Sequence, residues 1–315
     1  MGVRTLKRSP SLLPLYAQAA APLLPGSSLL PFLAGGGGEI PELELALEGV
    51  RVDPTRLAAY TSACSLTMRD WLPATYPHIL AFPLHMALMT DSSFPFGAIG
   101  LVHVANTITQ HRPLHVTEEL ALRVRATPLE DHPRGRTFSI LSQARVGEEL
   151  VWDARSTMLR RGGGSGAQNG HETRAGNDAG GSDEGSNSDE LPFAAEWKLP
   201  GDLGRRYAAA SGDRNPIHLH PLTAKAFGFP RAIAHGMWTK ARCLAALEQS
   251  LPDAFSVSVR FRRPILLPAR VAFASRGQDG PIDFSVSDVR SGTPHLSGLL
   301  EPLPTAGKSK RGRQR

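Results

Sequence analysis

Asp213 and His218 stand five residues apart in the segment Tyr207-Ala-Ala-Ala-Ser-Gly-Asp-Arg-Asn-Pro-Ile-His218. One carboxylate and one imidazole at that spacing, on a chain turned by Gly212 and Pro216, make a compact acid/base pair. A second segment, Ile233-Ala-His-Gly-Met237, puts Gly236 at the start of an apolar helix. Free N–H groups at such a terminus can hold a developing oxyanion. A base, an acid and an oxyanion donor are most of what is needed to add or remove water beside a carbonyl group. Taken alone, Asp213 reads better as a turn former; with Asn215, His218 and the His-Gly-Met segment beside it, catalysis is the better reading. Tyr207 and Ser211 support the loop, and Ser211 is not set in a nucleophile elbow, which argues against serine hydrolysis. His235 reads as a structural histidine that caps or lines the pocket, and His220 as a surface residue.

The elements that must position these groups follow from periodicity and punctuation. In the first half, residues 54–63 read as a short helix with Asp53 as cap and Pro54 in its first turn. The apolar stretch from Pro83 to Thr90 opens a long helix that Phe94-Pro-Phe96 interrupts. Strands are expected at 100–109, 118–126, 136–146 and 149–160. In the second half, helices fall at 202–211 and 235–250, and strands at 255–263, 270–276 and 282–287. The alternation in Ser256-Val-Ser-Val-Arg-Phe-Arg262 marks a strand with one face buried. Short strands following one helix, twice over, indicate an α+β fold.

The halves read as diverged copies. Met86 and Met237 are 151 residues apart, and so are Arg112-Pro113 and Arg263-Pro264. Aligning Tyr60 with Tyr207 puts Leu66 opposite Asp213 and Trp71 opposite His218, and Leu84-His-Met86 replaces His235-Gly-Met237. The first copy therefore lacks the pair, and its expected part is to complete the core and widen the pocket. The domains so defined are a partly flexible leader (1–38), a degenerate unit (39–161), a Gly/Ser/Asp-rich linker (162–190), a catalytic unit (191–304) and a basic tail (305–315).

Ser211-Gly-Asp-Arg-Asn-Pro-Ile-His218, Ala224, Gly228-Phe229 and Ala234-His-Gly-Met237 together resemble the signature of the MaoC-like, or hydratase-2, (R)-specific enoyl-CoA hydratases and 3-hydroxyacyl-thioester dehydratases. The resemblance implies a double hot-dog, each half a long helix wrapped by a curved antiparallel β-sheet. It implies Asp213 and His218 as the catalytic dyad, Gly236 in the oxyanion hole, and Asn215 positioning the dyad or its water. The substrate implied is a coenzyme A or acyl-carrier-protein thioester, with no cofactor and no metal. Arg260, Arg262 and Arg263, around Phe261, can meet the phosphates of such a carrier or form a solvated strand face. Phe229, Met237 and Trp238 are candidates for the acyl tunnel, with ordinary core as the alternative. Two other readings stay open: a hot-dog acyl-CoA thioesterase, and a non-catalytic acyl-thioester-binding subunit of a lipid-synthesis complex.

Composition bounds the rest. The chain has 315 residues, 41% of them apolar, and a net charge of +6. Much of the excess charge lies at the ends, and the basic tail reads as a solvated end; no zinc spacing or RNA motif accompanies it, so no nucleic-acid partner is expected. No apolar run is long enough for a transmembrane helix, and no stable membrane insertion is expected. The N-terminus is basic, then apolar, with Ala17-Gln-Ala19 like a cleavage site; Pro14 and Pro22 break it, and it reads as a leader that packs on the body or stays loose. Cys64 and Cys243 make no disulfide framework, and a reduced, cytoplasmic protein is expected. A homodimer is left open.

Overall fold

The computed structural model describes residues 2–20, 38–161, 191–277 and 280–304. The expected linker at 162–190, the basic tail and most of the glycine-rich stretch before Gly38 lie outside them.

In the first half, β2 (Leu43–Val50) leads into α2 (Pro54–Cys64) and α3 (Tyr76–Met89), followed by β3 (Val102–Gln110), β4 (Leu120–Ala126), the short β5 (Glu130–His132), β6 (Gly135–Val146) and β7 (Glu149–Arg161). In the second, β8 (Phe193–Leu199) leads into α4 (Leu203–Ser211), α5 (Pro216–Leu219), α6 (Pro221–Ala226) and α7 (Gly236–Ala246), followed by β9 (Phe255–Phe261), β10 (Ala269–Arg276), β11 (Ile282–Asp288) and β12 (Pro294–Pro302). Ahead of both stand β1 (Gly2–Leu6) and α1 (Leu12–Ala20). β2, β8, β12 and the N-terminal pair are elements that the sequence pattern did not disclose.

The described strands form one sheet, in the order β1-β2-β4-β6-β7-β3-β9-β12-β11-β10-β8, with β5 alongside β6. Counted from the outside, β2-β4-β6-β7-β3 and β8-β10-β11-β12-β9 follow the same path. This repeated topology is what a duplication predicts. The copies join where β3 pairs antiparallel with β9. Thr107 lies opposite Ser258, 151 positions later, and their hydroxyls hydrogen-bond at 3.0 Å. That is the spacing of the Arg-Pro repeat, so this pair sits on the internal two-fold axis. Val257 and Val259 of β9 are buried while Ser256 and Ser258 are half-buried, as the alternation requires.

Helix capping follows local chemistry. The Asp53 side chain accepts from the N–H groups of Thr55 (2.8 Å) and Arg56 (3.3 Å), and Ser65 in the left-handed region closes α2. The long helix of the first half departs from expectation. It starts at Tyr76, with Pro77 in its first turn, and runs through Pro83. Leu84-His-Met86 thus lies inside α3, whereas Gly236 opens α7, so the two segments are not equivalent. The equivalent of His235 is Thr75: each precedes its helix, with Thr75 Oγ1 accepting from the Tyr60 hydroxyl at 2.8 Å and the His235 ring packed 4.8 Å from that of Tyr207. A proline that can start a helix can also be carried inside one when the helix is held by its surroundings, and α3 is buried along nearly its whole length.

Lys240 of α7 ties that helix to the seam. It is fully buried, and its Nζ donates to the Asn106 side-chain oxygen (2.6 Å), the Val257 carbonyl (2.9 Å) and the Asn106 carbonyl (3.2 Å). Burial pushes this amine well below its ordinary value. Lys240→Met leaves three buried acceptors without their donor and is expected to cost about 2–4 kcal/mol. Urea unfolding monitored by circular dichroism measures this; a loss below about 1 kcal/mol would show that the seam does not depend on the amine.

Candidate active site

The loop after α4 is built from short-range hydrogen bonds. Gly212 ends α4 in the left-handed region, with φ 84°. The Asp213 N–H donates to Ser211 Oγ at 3.1 Å, and the Asn215 N–H donates to Asp213 Oδ1 at 3.2 Å. Asn215 Oδ1 in turn accepts from the Ile217 N–H at 3.4 Å and caps α5, whose first residue is Pro216. One turn on, His218 Nδ1 lies 2.8 Å from the Ile233 carbonyl. A carbonyl only accepts, so Nδ1 carries the proton and Nε2 the lone pair. His235 stacks on His218 with ring centroids 3.7 Å apart, and its Nε2 donates to the Asp213 carbonyl at 3.0 Å.

These groups face a cavity of about 310 Å³ between the two halves. Asp213, Asn215, His218, His235 and Gly236 form one wall; His78, Phe82, His85, Met89, Ile140 and Met158 of the first half form the other. The Asp213 side chain is 30% exposed, which leaves it reachable from the cavity. Asp213, His218 and His235 each place one potential ligand or proton-transfer atom within 4.8 Å of the others. A single water spans such a gap with two hydrogen bonds of about 2.8 Å. Gly236 opens α7 at the cavity wall, where its N–H is one of the first-turn donors that helix bonding leaves free. It has no room for a side chain: a Cβ would lie 2.9 Å from the Phe261 ring.

Comparison with known proteins places the chain in a family. A family profile described as MaoC like domain matches residues 190–297. The chain is 37% identical over 266 residues to 3-hydroxyacyl-thioester dehydratase X of Mycobacterium tuberculosis, covering 84% of this chain and 91% of that one. The chain belongs to the MaoC-like dehydratase family. The crystal structure of HtdX of Mycobacterium tuberculosis superposes with a TM-score of 0.71 at 36% identity, over 82% of this chain and all of that one. The (R)-specific enoyl-CoA hydratase of Aeromonas caviae is 34% identical over 84 residues, 24% of this chain and 63% of that one. The double hot-dog is the fold of these MaoC-like neighbours.

The other residues singled out from sequence divide. Phe229, Met237, Arg262 and Arg263 line the cavity, and Arg134 joins them. Arg260 does not: it is exposed, one strand position from Phe261, and alternation turns it away. Trp238 does not either. It lies one step round α7 from Met237 and donates its indole N–H to the Ala63 carbonyl of α2 at 2.8 Å. Both are corrected from substrate-binding candidates to a surface residue and a core residue. Tyr207 and Ser211 are buried behind the loop. His220 is exposed and its ring accepts from the Leu222 N–H, capping α6. Trp71 is half exposed and paired with His115 outside the cavity, so the first half has no dyad at that place.

Sequence reading missed three residues that hold the loop. Arg56 of α2 donates to the carbonyls of Ala210 (3.1 Å) and Ser211 (2.9 Å). The Tyr16 hydroxyl reaches Asp213 and Arg214. Gly204 of α4 lies against the His218 carbonyl so closely that any Cβ would overlap it. Arg56 and Tyr16 come from more than 150 positions away, and no local pattern announces them. Gly204 alone had a signal, a glycine inside a helix, where it is disfavoured unless close packing needs it.

Burial acts oppositely on acid and bases. It pushes the Asp213 carboxyl up, but the neighbouring His235 and His218 and the hydrogen bonds from Asn215 and Tyr16 outweigh it and hold the group below its ordinary value. Burial holds His218 below its ordinary value and takes His235 down to about 3. At neutral pH the site is a carboxylate beside two neutral imidazoles.

Two outcomes are expected. Gly204→Ala forces the His218 backbone to move and is expected to lower turnover at least tenfold, because geometry at this scale governs proton transfer; steady-state kinetics beside a folded circular dichroism spectrum measures it. Burial also depresses His85 to about 3, His103 to about 4, and His78 below its ordinary value. The unfolded chain takes up protons at these histidines near pH 6.5 while the folded one does not, so stability falls as pH drops from about 6.5 towards about 4. A melting temperature unchanged down to about pH 4.5 would contradict this burial.

Proposed function

We propose that this chain is an (R)-specific 3-hydroxyacyl-thioester dehydratase, equivalently a trans-2-enoyl-thioester hydratase, a hydro-lyase of fatty-acid metabolism. The observation that carries the reading is the pairing of Asp213, as carboxylate, with His218, whose Nδ1–H is committed to Ile233, across a gap one water can bridge. Both facing atoms accept hydrogen bonds. A water between Asp213 and His218 Nε2 therefore donates both its protons and turns a lone pair towards the cavity.

In hydration, the water oxygen bonds to C3 while one of its protons passes to the pair. The C2–C3 π electrons move towards the carbonyl, and the thioester oxygen gains charge that the Gly236 N–H meets. The same pair then protonates C2 on the same face. The product carries OH at C3 and H at C2, and the reverse path releases water. Acid/base assistance of this kind contributes about 10²–10⁴-fold, and removing one oxyanion donor costs about 10²–10³-fold. The apolar first-half wall of Phe82, Met89, Ile140 and Met158 accepts the acyl chain. Arg134, Arg262 and Arg263 supply positive charge for the phosphates of coenzyme A or of a phosphopantetheine arm. A thioesterase would use a single carboxylate to attack or to activate water at C1; it gives no reason for a neutral imidazole beside that carboxylate. The intact pair also argues against a binding subunit without activity.

The test is hydration of trans-2-enoyl-CoA esters of graded length, with chiral analysis of the product. The wild type is expected to form the (R)-3-hydroxy ester. Asp213→Asn and His218→Ala are each expected to lower kcat by about 10²–10⁴-fold while remaining folded. Free coenzyme A released from the substrate would instead favour the thioesterase.

A further inference from the structure

The N-terminal arm lies outside the two repeated strand paths, yet its middle touches the reactive loop. β1 adds to the sheet edge in parallel with β2, and α1 packs on α3. Arg4 pairs with Asp91 at 2.8 Å, and the Gln18 amide donates to the Thr90 carbonyl at 2.7 Å, which anchors the arm on either side of α1's contacts with the loop. Between these anchors, Leu12 lies against Gly212 so closely that a Cβ there would come 2.5 Å from Leu12 Cδ1. One turn on, the Tyr16 oxygen accepts from the Arg214 N–H at 2.7 Å and its hydroxyl donates to Asp213 Oδ1 at 3.2 Å.

Resting on the hydratase reading of this loop, we propose that Tyr16 is the positioning residue that orients the Asp213 carboxylate for catalysis. Asp213 Oδ1 has two in-plane acceptor sites. The Asn215 N–H takes one and Tyr16 takes the other. Rotation about the carboxyl bond would break both, so Oδ2 stays towards the cavity and the His rings. The loop alone supplies only one of these two restraints. His218, His235 and, further off, His103 and Tyr207 also face this carboxylate; the imidazoles are held below their ordinary values and stay neutral near pH 7, and burial pushes the Tyr207 phenol well above its own, so it stays neutral too. Tyr16 itself is pushed above its ordinary value, first by burial and then by the Asp213 charge, so it remains a donor throughout.

The experiment compares wild type, Tyr16→Phe and protein with 3-fluorotyrosine at position 16, a stronger donor of the same shape. Tyr16→Phe is expected to lower kcat by about 10–100-fold with KM within about twofold, since an interaction used only in the chemical step lowers kcat. The acidic limb of its kcat profile moves to higher pH, because the carboxylate loses a donor; 3-fluorotyrosine moves it lower. An unmoved acidic limb in both variants overturns the proposal, and so does a kcat within about twofold of wild type. A direct carbon-13 titration of the Asp213 carboxyl, made without substrate, separates the two readings. If the wild type hydrates no enoyl thioester, the hydratase reading fails; the Asp213 titration still decides whether Tyr16 governs that carboxyl, rising in Tyr16→Phe if it does and staying fixed if it does not.

Discussion

The antiparallel pairing of β3 with β9 is the constraint on which this structure depends. It makes one sheet of two copies and brings their helices together on the same side of it. With that seam in place, α2 of one copy meets α4 of the other, and Arg56 reaches the carbonyls that end α4. The cavity exists because the seam leaves the second copy's loop facing the first copy's helix α3. Lys240 marks how strongly the seam is fixed: a buried amine is tolerated only because β3 and β9 together offer it three oxygens.

Division of labour between the copies follows from the same geometry. The second copy carries Asp213 and His218, the free helix start at Gly236 and the glycine contacts that hold them. The first copy carries apolar wall and bracing. It is not chemically blank, since His78, His85 and His103 stand along its face of the cavity. They are depressed by burial and remain uncharged near neutrality, so they line the cavity without placing charge in it. Their cost appears on acidification, when the unfolded chain can take protons that the folded chain refuses.

Local chemistry was legible in the sequence wherever a short segment settles its own structure. The Asp53-Pro54 start of α2, the left-handed Gly212, the Asn215-Pro216 start of α5 and the alternating strand β9 each follow from residues within a few positions. The copy-to-copy spacing was legible from Arg112-Pro113 and Arg263-Pro264, whose strands meet at the two-fold axis. The helix start at Tyr76 was not. Pro77 and Pro83 carry the same local signal, and only packing of residues 76–82 against the sheet decides between them. Met86 was therefore matched to Met237 although the two lie at different depths in their helices.

By itself the sequence determined that Asp213, Asn215 and His218 share one turn, that Gly236 opens a helix, and which family these residues belong to. It could do so because those relations span a few residues and are fixed by backbone geometry. Tertiary structure decided that His235 grips the Asp213 carbonyl, that His218 presents Nε2, that Trp238 and Arg260 face away from the cavity, and that Tyr16 and Gly204 touch the loop. Each depends on chain segments that meet only when both copies have packed, and a hydrogen bond between residues nearly two hundred positions apart leaves no trace in the spacing of either.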